Sequence, residues 1–273
     1  MRLGVTLPTA SPDGSPLTAE ALVGGARLAE QAGFDSLWFF DAIGRGFILP
    51  DPLIGASVAA TVTTRPEIGT CVLQVPLRHP VELAHRILTA HLLSRGRLLL
   101  GVGAGSTQAD FDALGLDFTA RMRTFEDALP VMRRLWRGEK IGRASLDPWP
   151  AAMGGPPVLI GSWSGQRWIP RAAKEYDGWI VSAAKTSLNT LTEGIERFRG
   201  AGGKRAIVTN IRTDLSAPTE ACEDGAPFHL GCAPAEAARR LGRLRDLGFD
   251  DAVLVVKAPT EANLAAARAL VRP

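Results

Sequence analysis

Two glycine- and serine-rich runs carry the clearest chemical signal in this 273-residue chain: Gly103-Ala104-Gly105-Ser106 and Gly161-Ser162-Trp163-Ser164-Gly165-Gln166. The first strips a stretch of backbone of side chains, so a planar ligand could lie directly against peptide groups. The second leads into a helical pattern. The first N–H groups of a helix have no partner within it, and they sit at the positive end of its dipole, which suits a phosphate. Ser162, Ser164 and Gln166 can add hydrogen bonds, and Trp163 can stack on a ring or wall it off. Each run alone also reads as a tight turn. Together they describe a site for a planar, anionic ligand.

The charged candidates lie near the ends of other apolar runs. Asp41 reads as a loop cap or as a carboxylate facing a cavity. Arg45 reads as a solvated loop residue or as an anion clamp; these two are the catalytic candidates. Lys257 reads as a phosphate or substrate ligand, or as strand-end surface. Cys71 reads as a small buried residue, since as a nucleophile it has no base at hand. His79, before Pro80, reads as a corner residue more readily than as a base. His85 and His91 are too far apart for an i, i+4 metal pair and His229 falls in a loop, so no metal site is predicted. Gly101-Val102-Gly103 lacks the third glycine of a dinucleotide fingerprint, because position 106 is serine. Gly161-x-x-Ser164 lacks the spacing of a nucleophile elbow.

These residues need elements to hold them. Positions 67–106 alternate apolar run, helical spacing and apolar run, a βαβ unit that implies parallel strands and a right-handed crossover. The pattern continues throughout, with strands predicted at 2–7, 36–40, 68–73, 98–102, 157–160, 178–182, 205–212 and 251–256, each followed by a helix. Residues 110–117, in a loop that continues through Phe118, and residues 213–231 are predicted as loops, and Pro130 predicts a kink or a late start in the helix at 123–137. Eight βα units over 1–273 fit one (β/α)8 TIM barrel of a single domain, with an open doubly wound sheet as the alternative. In such a barrel the candidates gather at the C-terminal ends of the strands. The strand ends also deliver Gln74, Ser182, Lys185, Asn210 and Arg212.

Composition narrows the partners. There are 31 basic and 28 acidic residues, and no basic run that could track a nucleic-acid backbone, so no nucleic-acid partner is expected. Three cysteines without CxxC spacing suggest reduced thiols. With no signal-like segment and no apolar run long enough to span a bilayer, the expectation is a soluble, cytoplasmic protein without a membrane partner.

The order of the motifs resembles the bacterial-luciferase-like flavin monooxygenases. It runs through Ala29-Glu30-x-x-Gly33-Phe34-Asp35-Ser36-Leu37-Trp38, Gly69-Thr70, Leu77-Arg78-His79-Pro80 and Leu93-Ser94-x-Gly96-Arg97. Gly101-Val102-Gly103-x-Gly105, Phe111-x-x-Leu114-Gly115-x-Asp117-Phe118-x-x-Arg121 and Pro156 to Ser162 follow. The resemblance implies a (β/α)8 barrel holding reduced FMN or the deazaflavin F420 at its mouth. It implies a non-proline cis peptide against the ring, at Cys71-Val72, and a phosphate site at 161–166. It also implies a homodimer. The implied activity is monooxygenation of a small organic substrate, with reduced flavin supplied by a separate reductase or through NAD(P)H. The alternatives are an F420-dependent dehydrogenase or reductase and a non-catalytic flavin-binding protein. Two departures matter: Ala42 stands where many members carry histidine, which favours FMN over F420, and Ala104 stands where some FMN members carry arginine.

Overall fold

Residues 1–7, 15–163 and 165–271 are described in a computed structural model; Ser164, one of the phosphate-site candidates, lies outside the described residues. The strands are β1 (Arg2–Thr6), β2 (Ser36–Phe39), β3 (Glu67–Thr70), β4 (Leu73–Gln74), β5 (Leu98–Gly103), β6 (Val158–Gly161), β7 (Gly178–Ser182), β8 (Ala206–Asp214), β9 (Leu230–Gly231) and β10 (Asp251–Val256). Every pairing among them is parallel. β10 pairs with both β8 and β1, which closes the sheet into a barrel. The fold is the (β/α)8 barrel that the alternation predicts.

Around it run α1 (Ala19–Gln31), α2 (Pro52–Val62), α3 (Pro80–Leu93), α4 (Gln108–Asp112), α5 (Arg121–Trp136), α6 (Trp168–Glu175), α7 (Leu188–Gly200), α8 (Pro234–Asp246) and α9 (Glu261–Arg268). Local chemistry starts several of them. The Thr18 hydroxyl accepts from Ala21 N at 3.1 Å. Asp51 accepts from Leu53 N and Ile54 N, with Pro52 at the first helical position. His79 caps α3 through Nδ1, which accepts from Val81 N at 3.3 Å.

Large and small residues alternate inside the barrel. Trp38, Leu99, Leu159, Ile180, Ile207 and Val253 fill it. A Cβ on Gly4 would lie 2.6 Å from Trp38 Nε1, and a Cβ on Gly69 would collide with the same ring, so both glycines are needed for the indole to fit. At the N-terminal end four charged side chains form a cluster: Arg2, Glu67, Arg205 and the fully buried Asp251.

Several elements differ from the sequence pattern, among them β9, which lies inside the predicted loop 213–231. The third strand is split: β3 stops at Thr70, the Cys71–Val72 peptide is cis, and β4 resumes beside β5 with Leu73 opposite Val102. The short α4 replaces part of a predicted loop; it buries Asp110 and Phe111, the latter edge-on to Phe118 at 5.2 Å. α5 runs through Pro130 from Arg121 without a late start. Pro130 is on the exposed face, and burial of Phe125, Leu129, Met132, Leu135 and Trp136 outweighs a proline cost of about 3 kcal/mol.

Candidate active site

The C-terminal ends of β2, β4, β5, β6 and β7 and the middle of β8, at Thr209 and Asn210, open onto one cavity of about 510 Å³. Its size lies within the usual range for small-molecule and cofactor sites. Asp41, Arg45, Cys71, Val72, Gly103, Ala104, Gly105, Gly161, Ser162 and Trp163 all line it. Gly165, Gln166 and Lys257 do not.

The glycines serve the wall itself. A Cβ on Gly103 would stand 2.7 Å from Val72 Cγ2, and one on Gly161 would stand 3.0 Å from Val72 Cγ1. Where the sequence suggested bare backbone for a ligand, these two glycines also make room for Val72, whose side chain occupies the gap between two strand ends. Gly105 has φ +81°, and a Cβ there would lie 2.7 Å from Gln74 Oε1 and 2.9 Å from Phe111.

Asp41 and Arg45 reach the mouth with their charges already engaged. The Asp41 carboxylate accepts from Gln74 N at 2.8 Å and from both terminal nitrogens of Arg78, at 2.6 and 2.9 Å. Only 2% of the Asp41 side chain and 8% of the Arg78 side chain are exposed. Arg45 grips Asp110 with Nε at 2.7 Å and Nη2 at 2.5 Å. Gln74 ties the two pairs together, since its Nε2 donates to the Asp41 carbonyl at 3.1 Å and to Asp110 Oδ2 at 2.8 Å. Burial opposes the charge on Asp110, yet the hydrogen bonds from Arg45 and Gln74 hold its carboxyl below the usual aspartate range. The ensemble fixes the β2–α2 loop; neither Asp41 nor Arg45 keeps a free group for proton transfer or anion capture.

Lys257 is placed elsewhere. β8 runs on to Asp214, so the Lys257 ammonium meets that carboxylate at 2.7 Å beside a separate depression of about 110 Å³. Gly165 closes a turn by donating its N–H to Ser162 Oγ at 3.2 Å, and α6 starts at Trp168, later than the sequence suggested.

Among the described residues, two cations lining the cavity have no carboxylate partner, Arg121 and Lys185. The Arg121 guanidinium lies 3.9 Å over the Phe118 ring and donates to Phe118 O at 3.0 Å. Arg167 and Arg171, which do not line the cavity, are both held by Glu126, at 2.5 and 2.7 Å. Two buried amide oxygens of cavity residues lack donors, Gln74 Oε1 and Asn210 Oδ1. Asn210 has φ +57° in β8 and donates through Nδ2 to Ser182 Oγ at 2.9 Å. Strand-end logic brought Gln74, Lys185 and Asn210 to the mouth without a role. Asp110 and Trp168 were missed, and an acidic residue beside Phe111 in a glycine-rich stretch was the only signal for the first.

Burial pushes the Cys71 thiol far above its ordinary range. It serves as a small wall, not as a nucleophile. On the native protein, Ellman's reagent should titrate the half-buried Cys222 first and reach Cys71 and Cys232 only on unfolding. A native-state rate for Cys71 equal to that of an exposed thiol would contradict its burial.

By architecture the chain is a TIM-barrel protein with its cavity where such barrels carry out their chemistry. Residues 1–245 match the luciferase-like monooxygenase family, and the chain belongs to that family. It is 29% identical over 256 residues to the uncharacterized protein y4vJ of Sinorhizobium fredii, covering 88% of this chain and 72% of that one. It is 34% identical to the 4-hydroxyprotoasukamycin monooxygenase of Streptomyces nodosus over 42% of this chain, and 32% identical to a phthiodiolone/phenolphthiodiolone dimycocerosates ketoreductase of Mycobacterium tuberculosis over 45%. These matches span only 31% and 35% of the two relatives. Monooxygenase RslO1 of Streptomyces bottropensis superposes with a TM-score of 0.80 at 18% identity, covering 99% of this chain and 97% of that one. An F420-dependent secondary alcohol dehydrogenase in complex with an F420–acetone adduct gives 0.76 at 17% identity, over 99% and 98%. At these identities the structural likeness is one of fold.

Proposed function

We propose that the mouth binds reduced FMN and that the protein is a monooxygenase acting on a small organic substrate. The observation that carries this reading is Arg121, a cation without a carboxylate partner beside the turn that begins α6. Phe125, one helical turn further along α5, packs against Trp168 with ring centroids 5.1 Å apart. Arg121 and Phe125 share a helix face, which directs Arg121 to the side of α5 that faces Trp168 at the start of α6. There the guanidinium can hold a phosphate, with little help from α6, whose Ile169 N–H already donates to the Gly165 carbonyl and whose third residue is Pro170. This replaces the arginine absent at Ala104, and it assigns Arg45 and Lys257 no part in anion binding.

The remaining features suit a flavin ring. Val72, Phe40 and Ile180 supply an apolar wall. Gln74 Oε1 and Asn210 Oδ1 offer acceptors to ring N–H groups, and an unpartnered buried acceptor otherwise costs about 1–3 kcal/mol. Trp163 and Met122, both partly exposed at the rim, limit the access of water. Bound reduced flavin would supply two electrons to O₂, with one oxygen atom entering the substrate and the other leaving as water. A separate flavin reductase or NAD(P)H as electron source, and a homodimeric assembly, belong to the same reading.

The test is a titration of the purified protein with FMN, riboflavin and F420, each oxidised and reduced. Micromolar or tighter FMN binding is expected. Arg121→Gln should weaken FMN by about ten- to a hundredfold, the value of a charge-assisted contact, and barely change riboflavin, which has no phosphate. Preference for F420 would move the protein to hydride transfer. Binding of none of the three would end the flavin reading.

A further inference from the structure

A second cavity of about 260 Å³ adjoins the mouth. Asp41, Ala42, Phe47 and Leu49 line both spaces, so the two meet across the β2–α2 loop. The annex rim is apolar, formed by Ala42, Ile43, Phe47, Ile48, Leu49 and Pro50. Among the described residues Phe47 is 57% exposed and Ile48 91%, a pair of large apolar side chains turned to solvent beside a cavity. The floor is charged but internally neutralised, with Arg78 held between Asp41 and Asp51 and Asp51 also paired with Arg86 at 3.0 Å. The loop is pinned at Asp41, at Ile43, whose N–H donates to Asp110 at 3.3 Å, and at Asp51. A cavity with an apolar rim, no free charge and an opening onto the mouth fits a hydrocarbon group better than a polar one.

We propose that this annex holds the hydrocarbon arm of the organic substrate while its reacting group lies in the main cavity. The substrate class is then a compound whose oxidisable group sits on an extended apolar arm. Ala42 lines both spaces, so a phenylalanine there is expected to crowd the passage between them. That a reacting group lies beside a flavin rests on the function proposed above; occupancy of the annex does not.

The test is competition binding on the full chain, with and without FMN. N-phenyl-1-naphthylamine, which fluoresces in apolar sites, is displaced by n-alkanols from butanol to decanol. Wild-type affinity should rise about fourfold per added methylene until the annex is full. Ala42→Phe should flatten that dependence. Ile48→Glu, on the annex rim and too exposed to disturb folding, should weaken decanol about tenfold and leave butanol within about twofold. Failure of displacement, or the same chain-length slope in the wild type and both variants, would overturn the proposal. So would a concentration-dependent dimer in sedimentation velocity that Ile48→Glu dissociates while the alkanol slope is unchanged, since the patch would then belong to a second copy. If FMN fails to bind and the slope persists, the flavin reading falls and the annex stands.

Discussion

Arg205→Met should lower the stability of the barrel by about 3–5 kcal/mol, read as a reduced midpoint in urea denaturation with an unchanged slope. Arg205 meets Asp251 at 3.0 and 2.9 Å and Glu67 at 3.1 and 2.7 Å. The Asp251 side chain is fully buried. Methionine keeps the volume but leaves that carboxylate without its main partner in a low-dielectric setting. Arg2 is the only nearby substitute among the described residues; its Nε stands 3.7 Å from Asp251, and it is already paired with Glu67. Burial raises the Asp251 carboxyl above its usual range even with Arg205 present, and without that partner it should rise further. A group raised on folding contributes stability that is present below its unfolded value and lost as pH rises through the folded one. The deficit should therefore shrink as pH falls toward about 3.9, the ordinary aspartate value. Adding Asp251→Leu should recover most of the loss, because removing both partners costs far less than stranding one. A single variant that loses less than about 1 kcal/mol would mean that Arg2 compensates in full.

The strands and helices were legible because their signals are local. Apolar runs punctuated by Thr18, Gly33, Asp51-Pro52 and Ser94-Arg95-Gly96 report strand, cap and stop within a few residues, and the caps are where they were expected. The choice of ionic partner was not legible, because it depends on which strand ends meet. Arg97 read as part of a turn motif, yet it gathers the carbonyls of Ala60, Thr63 and Pro66 at 2.7, 2.9 and 2.8 Å and so anchors the end of α2 to the barrel. Arg45 and Lys257 read equally well as anion ligands. The register of β8 against β10 gives Lys257 its aspartate, and the unforeseen α4 gives Arg45 its own. Arg121 was visible only as a letter in a family motif; the helix that carries it had to start two residues earlier than its apolar spacing suggested before the guanidinium could reach the mouth.

The same logic gives a large expected effect on both stability and ligand binding, at Arg78. Its guanidinium is the fork that holds Asp41, and through Asp41 it sets the backbone of Gln74 and the whole β2–α2 loop. Arg78→Met strands a carboxylate that is almost wholly buried, at a penalty of about 3–5 kcal/mol if the loop stays in place. Unlike Asp251, Asp41 sits at the edge of an open cavity, so the chain has a less costly response. The loop can swing outward and hydrate the carboxylate, a local opening instead of global unfolding. The midpoint for unfolding should then fall by less than the full penalty, by about 1–2 kcal/mol, while FMN affinity drops at least about tenfold because the wall carrying Gln74 is no longer fixed. Arg78→Lys keeps the charge without the fork and should fall between the two. Arg78→Met combined with Asp41→Leu should restore stability but not FMN binding, since the Gln74 N–H loses its only acceptor among the described residues. That separation distinguishes a positioning role from a merely stabilising one. FMN affinity that returns with stability in the double variant would show that the pair only holds the loop shut.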